Sequence, residues 1–293
     1  MRPAVLVLTV AALLGQVVLS AQNGAPARRG PRLPAGVKSF RDNKTAAQQW
    51  LWHMGMLRGV YEIDGVATLE LEKSTGTVRV AGQPCTLANY RASVNYQTSG
   101  MRVQYTCTRA AGQPYKAIEV VSGQFAWDED IAGAELVPGK GKATPRPDAV
   151  NDRLILLWSS PQGAPKAAEA AGANAKVTME GGKTIVTYPI PGVAGAIARA
   201  TLTSGAPDGV CTSYCAERIE VRQGNALTEF LYSGYDDYND PENRIEAFFP
   251  GHIVEKRDGV TTADLTIERT ETGNVYVMMP VPDSVRKATT TRP

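Results

Sequence analysis

Apolar and polar positions alternate with a period of two along most of this chain. In one C-terminal stretch Thr262, Asp264, Thr266 and Glu268 interleave with Ala263, Leu265 and Ile267. That spacing turns the first set to water and the second to a core, as in a half-buried strand. Ile185 to Tyr188, Ala196 to Leu202, Arg218 to Arg222, Leu227 to Tyr232 and Ile245 to Val254 read as strands too. In the N-terminal half the apolar positions are Leu69 and Leu71, then Tyr90, Ala92, Val94 and Tyr96, then Met101, Val103 and Tyr105. Tyr115 to Ser122 is a further strand. Ser99–Gly100 and Gly181–Gly182 supply turns between neighbours.

Two regions have a helical period instead. Ala46, Trp50, Met54 and Leu57 recur behind a capping box at Thr45 and Gln48, with Gly59 as a stop. Pro147 opens a second helix with the stripe Val150, Leu154, Leu157 and Trp158, and Pro161 ends it. A shorter Ala-rich helix runs from Ala164 to Ala171, with Gly172 as its stop. A meander with one apolar face must bury that face, and these helices are the partners the chain offers. The predicted fold class is α+β, a curved antiparallel sheet with helices packed in its concavity.

Composition is that of an ordinary globular protein: 293 residues, 43% hydrophobic and 20% charged. A net charge of +2, or +1 once Arg2 is removed, leaves no nucleic-acid footprint. Arg2 precedes an apolar run from Ala4 to Leu14, and Ser20–Ala21 offers a cleavage site. Residues 1–21 therefore read as a secretory signal, with an uncleaved anchor as the alternative. The run is interrupted at Gly15 and Gln16 and is short against a span of roughly 20 residues. No Cys follows it to carry a lipid. Residues 22–44 form a Pro/Gly/Arg-rich leader, residues 45–289 a single domain and residues 290–293 a tail. The mature chain is predicted to lack a transmembrane segment and to be exported, either periplasmic or secreted.

Four cysteines suit an oxidising compartment. Cys85–Cys107 and Cys211–Cys215 are the favoured pairs among three connectivities. A hairpin turning at Ser99–Gly100 does not set Cys85 opposite Cys107, so a bulge or a neighbouring strand must intervene. In an extended strand Cys211 and Cys215 would lie roughly 13 Å apart, so a bond requires a bend. Turn residues Gly205 to Gly209 stand just before it. The alternative is a metal or redox role, but neither zinc spacing nor C-x-x-C is present.

Several blocks resemble a recurrent bacterial exported domain. They are Phe230 to Tyr238, Phe249 to Val254, Ala263 to Ile267, Leu156 to Gly163 with its Ala-rich helix, and the closing Pro280 to Val285. That domain has the outer-membrane lipoprotein-carrier fold, an unclosed β half-barrel capped by helices, and also occurs ahead of metallo-β-lactamase-fold hydrolase domains. The likeness runs from about Thr45 to Lys287, reading strand and helix order. It implies a hydrophobic cavity between sheet and helices, suited to an acyl chain or similar ligand. It does not carry lipoprotein transfer across, because fold is not function. A dinuclear hydrolase site needs a His/Asp cluster, and this chain has only His53 and His252.

Candidate chemistry is sparse. Asp236, Asp237, Asp240 and Glu242 offer calcium-type oxygens but lack the EF-hand order, and read as a hairpin tip. His252 reads as an outward strand residue, and Ser159–Ser160 as a helix end outside any G-x-S-x-G. Gly139 to Lys142 lacks the Walker pattern, and Lys140, Lys142 and Arg146 either attract an anionic headgroup or form a solvated loop. No metal, cofactor or catalytic set is predicted. The residues placed between helices and sheet as cavity lining are Trp50, Met54, Leu57, Tyr90, Tyr105, Leu154 and Trp158, and a solid core demands the same side chains. The leading expectation is an exported, non-enzymatic protein that binds a lipophilic small molecule. The alternatives are an envelope adaptor subunit with an unknown protein partner, docking through a sheet edge or the Leu136 to Arg146 loop, and a hydrolase around His252 and Asp236.

Overall fold

The computed structural model describes residues 45–58, 63–110, 112–203, 211, 214–238 and 247–290. The predicted signal and leader lie outside them. At the start, Thr45 caps helix α1 (Ala46–His53): its side chain accepts from the Gln48 N–H at 3.3 Å, and Gln48 Oε1 accepts from the Thr45 N–H at 2.9 Å. The helix ends earlier than its apolar stripe predicts. Gly55 takes φ +66°, and the N–H groups of Gly55 and Met56 turn back to the Trp52 and Leu51 carbonyls at 2.9 and 3.1 Å. That is a Schellman ending, which a left-handed glycine makes cheap. Leu57 is therefore not helical. It belongs to strand β1 (Leu57–Arg58), paired with β2 (Ile63–Asp64).

Thirteen further strands form one curved antiparallel sheet that does not close. The first half comprises β3 (Thr68–Val80), β4 (Gln83–Asn95), β5 (Gly100–Arg109), β6 (Pro114–Ser122), β7 (Phe125–Glu129) and β8 (Ala143–Pro145). The short β8 lies within the stretch read as an irregular loop. Two helices follow, α2 (Val150–Ser159) and α3 (Gly163–Ala171). The second half comprises β9 (Lys176–Glu180), β10 (Lys183–Pro189), β11 (Ala196–Leu202), β12 (Ala216–Gln223), β13 (Ala226–Asp237), β14 (Phe248–Arg257) and β15 (Val260–Thr272), and α4 (Asp283–Thr290) closes the chain. Each half is a meander, and β3 pairs with β15 to join them. The edges of the sheet are β8 and β9, so residues 146–175 carry the chain from one edge to the other.

Bulges decide which side chains face inward. In β4, Leu87 pairs with Cys107 and Asn89 with Thr106, which leaves Ala88 as an extra residue. Inward positions then shift from Cys85 and Leu87 to Tyr90, Ala92 and Val94, as expected when a bulge resets a period of two. The same shift lets Cys85 reach Cys107, with Cα atoms 5.5 Å apart. Cys211 pairs with Cys215 across a Cα separation of 6.1 Å, and Tyr214 at φ +58° supplies the bend. The turn residues Gly205 to Gly209 lie outside the described residues. In β14 and β15, Glu255 pairs with Ala263 and Lys256 with Thr261, so Thr262 is skipped.

The main core gathers Trp50, Leu51, Met54, Leu157, Tyr188 and Phe230, all under 2% exposed. A second cluster sits around Ile118, Val120, Trp127, Val277, Met279 and Val285, where the C-terminal segment covers β6 and β7. Among the described residues, no helix is long and apolar enough to cross a membrane.

Candidate functional site

One strand shows how a cavity arises. Along β14, Phe249, Ile253, Glu255 and Arg257 occupy alternate positions and all line the same hollow. Its inner part is apolar, about 70 Å³, bounded by side chains such as Leu71, Val94, Met101, Phe230 and Leu265. Its outer part is larger, about 440 Å³, and polar. Tyr90, Val103, Leu156, Glu255 and Ala263 line both parts, so the two adjoin. Helix α2 contributes Asp152, Arg153 and Leu156, with Ala149 just before it, a stripe at helical spacing.

The outer part is held in shape by ion pairs. Arg153 is buried, donates to the Val120 and Trp127 carbonyls at 2.9 and 2.7 Å, and also pairs with Asp128. Arg146 bridges Asp128 at 2.7 Å and Asp148 at 3.0 Å. Arg257 reaches Asp152 at 2.7 Å and Glu255 at 3.4 Å. Arg79, Arg146, Arg153 and Arg257 line this opening with Glu119, Asp152 and Glu255, and Asp128 and Asp148 pair with Arg146 and Arg153. Burial pushes the Glu255 carboxyl above the usual glutamate range, against the opposing pull of Arg257 and Thr262. Burial likewise raises the phenols of Tyr90 and Tyr105, which stay neutral hydrogen-bonding groups. Their rings stack with centroids 6.1 Å apart, and the Tyr105 hydroxyl meets Glu119 at 3.4 Å. The arrangement offers an apolar recess beside a polar opening whose arginines are paired with carboxylates.

The predicted lining residues divide. Tyr90 and Tyr105 line this cavity. Trp50, Met54 and Leu154 are 0%, 0% and 3% exposed and sit in the packed core. Leu57 packs against that core from β1. Trp158 lines a separate groove with Tyr96, Asp64 and Lys166. There Lys166 pairs with Asp64, lies over the Tyr96 ring at 5.2 Å, and has its ammonium pKa lowered, chiefly by burial. No protein-family model matches the chain, and no curated protein matches it.

Sequence reasoning missed Leu156, Arg153, Glu255 and Arg257. The signal was a second stripe on α2 beside the apolar one, and the continuation of the inward period of β14 past Ile253. Both carry charges, and charged positions read as solvated.

The remaining candidates resolve locally. His252 Nε2 meets Asp264 at 2.8 Å, with both side chains about half exposed at 45% and 50%. Asp236 instead sits opposite Phe249. Ser160 Oγ donates to the Leu157 carbonyl at 2.6 Å and accepts from the Gly163 N–H at 3.2 Å, which makes it a helix-end group. Asp240 and Glu242 lie outside the described residues. Among the described residues, no group of three or more His, Cys, Asp or Glu side chains is placed to hold a metal ion.

Proposed function

We propose that this is an exported, non-enzymatic binding protein that holds a lipophilic ligand between its sheet and its helices. In this reading the helices lie in the concavity of a half-barrel of the lipoprotein-carrier type, and α2 is the wall over the ligand. The observation that supports it is that the apolar recess and the polar opening share Tyr90, Val103 and Leu156 as lining. Such a graded site favours an amphiphile, its apolar end inside and its polar head at the opening. Native mass spectrometry tests this on chain purified from an envelope fraction without detergent. A stoichiometric lipophilic adduct, lost in Leu156→Trp, is the expected result. A clean apo mass, unchanged after incubation with lipid extract, would overturn it.

A second reading, an adaptor subunit docking through a sheet edge, is favoured by one observation: every residue of β9 is exposed. A crosslinking search that returns no partner at β9 would count against it.

A further inference from the structure

Strand β9 reads Lys176-Val177-Thr178-Met179-Glu180 and, among the described residues, pairs with β10 alone, so its far side is an edge of the sheet. The turn to β10 is Gly181–Gly182, with φ of +56° and +80° at the two positions. Positive φ at both central residues marks a type I′ hairpin, whose flanking pair, Glu180 and Lys183, exchanges hydrogen bonds. Alternation along an antiparallel ladder then commits Thr178 and Lys176 to β10. The N–H and C=O groups of Val177 and Met179 point outward. Their side chains are 50% and 65% exposed, an unusual state for two apolar residues on a bare edge.

The sequence of β9 is complementary to itself when reversed. We propose that this edge pairs antiparallel with β9 of a second copy of the chain, about a two-fold axis at Thr178. In that register Lys176 faces Glu180 of the second copy, and Val177 faces its Met179. The residues with outward N–H and C=O groups then meet each other, and the axis repeats the exchange. Lys176 and Glu180 form the closer, non-hydrogen-bonded type of pair, where opposite charges directly across strands are favourable.

The outer face supplies an independent argument from charge. A ladder of ion pairs runs across it: Glu180 with Arg199, Arg199 with Glu220 at 3.2 Å, Glu220 with Arg218 at 3.3 Å, and Arg218 with Glu229. The ladder ends at Glu180 on the free edge. Lys176 makes no ion pair among the described residues, although it shares the row of Thr187 and Arg199. Lys176 of a second copy continues the alternation of sign and joins the two ladders. The opposite edge offers no such site: β8 is three residues long, and Ser284 at the start of α4 bonds to Glu135 beside it at 2.6 Å.

Five paired residues make a small interface, so the dimer is a weak, reversible one. Sedimentation velocity on the mature chain, from micromolar to millimolar protein, reads it. The expected result is a concentration-dependent dimer that Val177→Pro abolishes, since proline removes an outward N–H without touching the bonds to β10. Unchanged circular dichroism and melting of that variant establish that it folds. Lys176→Glu alone and Glu180→Lys alone each weaken association about tenfold, because each sets two like-charge pairs across the axis. Mixing those two variants restores it as a heterodimer, because both cross-strand pairs become opposite again. A monomer throughout the range would overturn the proposal. So would a dimer indifferent to Val177→Pro, or one not rescued by mixing.

Discussion

The interior of this protein has two ends made from the same kind of sequence. At one end α1 and α3 lie on the second meander, and Trp50, Met54 and Leu51 fill the space against Tyr188. At the other end α2 packs against β5, β6, β7 and β12, and a hollow remains, lined also by residues of β3, β4, β14 and β15. Both ends are built from strands of period two that bulges reset. The difference is in the size of what is offered inward. The packed end receives Trp50 and Tyr188, whose ring centroids lie 6.4 Å apart, edge on. The hollow end receives small side chains, Ala92, Ala263 and Val103, beside larger ones such as Met101 and Phe230, and α2 offers it Leu156. Small side chains on a curved sheet leave room that one helix turn does not fill, and polar groups at the rim keep that room open to water.

The largest test of this contrast is truncation at each end. Trp50→Ala is expected to cost about 3–5 kcal/mol, since it removes a fully buried indole from a packed site. Leu156→Ala enlarges space that is already open and is expected to cost about 1 kcal/mol, below the usual range for a core leucine. Urea denaturation of both variants measures the gap. Equal losses would mean that α2 is packed as tightly as α1.

That contrast also marks how far the sequence is legible. The Thr45–Gln48 capping box, the Ala-rich helix and most strands follow from local chemistry, and the structure has them. Bulges do not follow from a period of two, because a single extra residue such as Ala88 moves Tyr90 to the opposite face. Nor does filling: Trp50 and Tyr90 both read as inward-facing aromatics, yet one is sealed in the core and the other walls a cavity. Volume matching between distant elements is a property of the assembled fold, not of spacing. Glu255 and Arg257 stayed hidden for a related reason, since a charge at an inward position is unusual unless it is paired.

The two disulfides sit one at each end and provide the next test. Cys85–Cys107 closes a span of 22 residues beside the bulge that turns Tyr90 inward. Cys211–Cys215 closes a span of 4, near Tyr214, which stacks on His53 of α1 at 5.3 Å. Chain-entropy reasoning gives about 3 kcal/mol for the first and about 2 kcal/mol for the second. Double Cys→Ser variants, melted in denaturant, are expected to keep that order. The first is also expected to weaken retention of the proposed ligand, because it fixes the register of the strand that carries Tyr90.

Filling the hollow is a smaller perturbation. Leu156→Trp adds apolar volume where space exists, so its stability is expected to stay within about 1.5 kcal/mol of wild type. The lipophilic adduct proposed for wild type, read by native mass spectrometry, is expected to be lost. A large destabilisation would show that the recess has no room, and retention of ligand would move the site elsewhere.

The smallest effect belongs to Glu255, and it is a slope rather than an offset. Burial raises its carboxyl pKa above the ordinary value of 4.5, while Arg257 and Thr262 pull the other way and Asp152 adds to the rise. A folded pKa above the unfolded one means that the native state holds the proton longer. Stability from this group is therefore complete below about pH 4.5 and is lost as pH rises through the raised value. Glu255→Gln removes that dependence. Against wild type, its stability is expected to rise across the same window and to run parallel above it, in urea melts taken at successive pH values. If Glu255→Gln leaves the slope in that window untouched, the carboxyl is solvated, and the recess opens more widely to water than its apolar lining suggests.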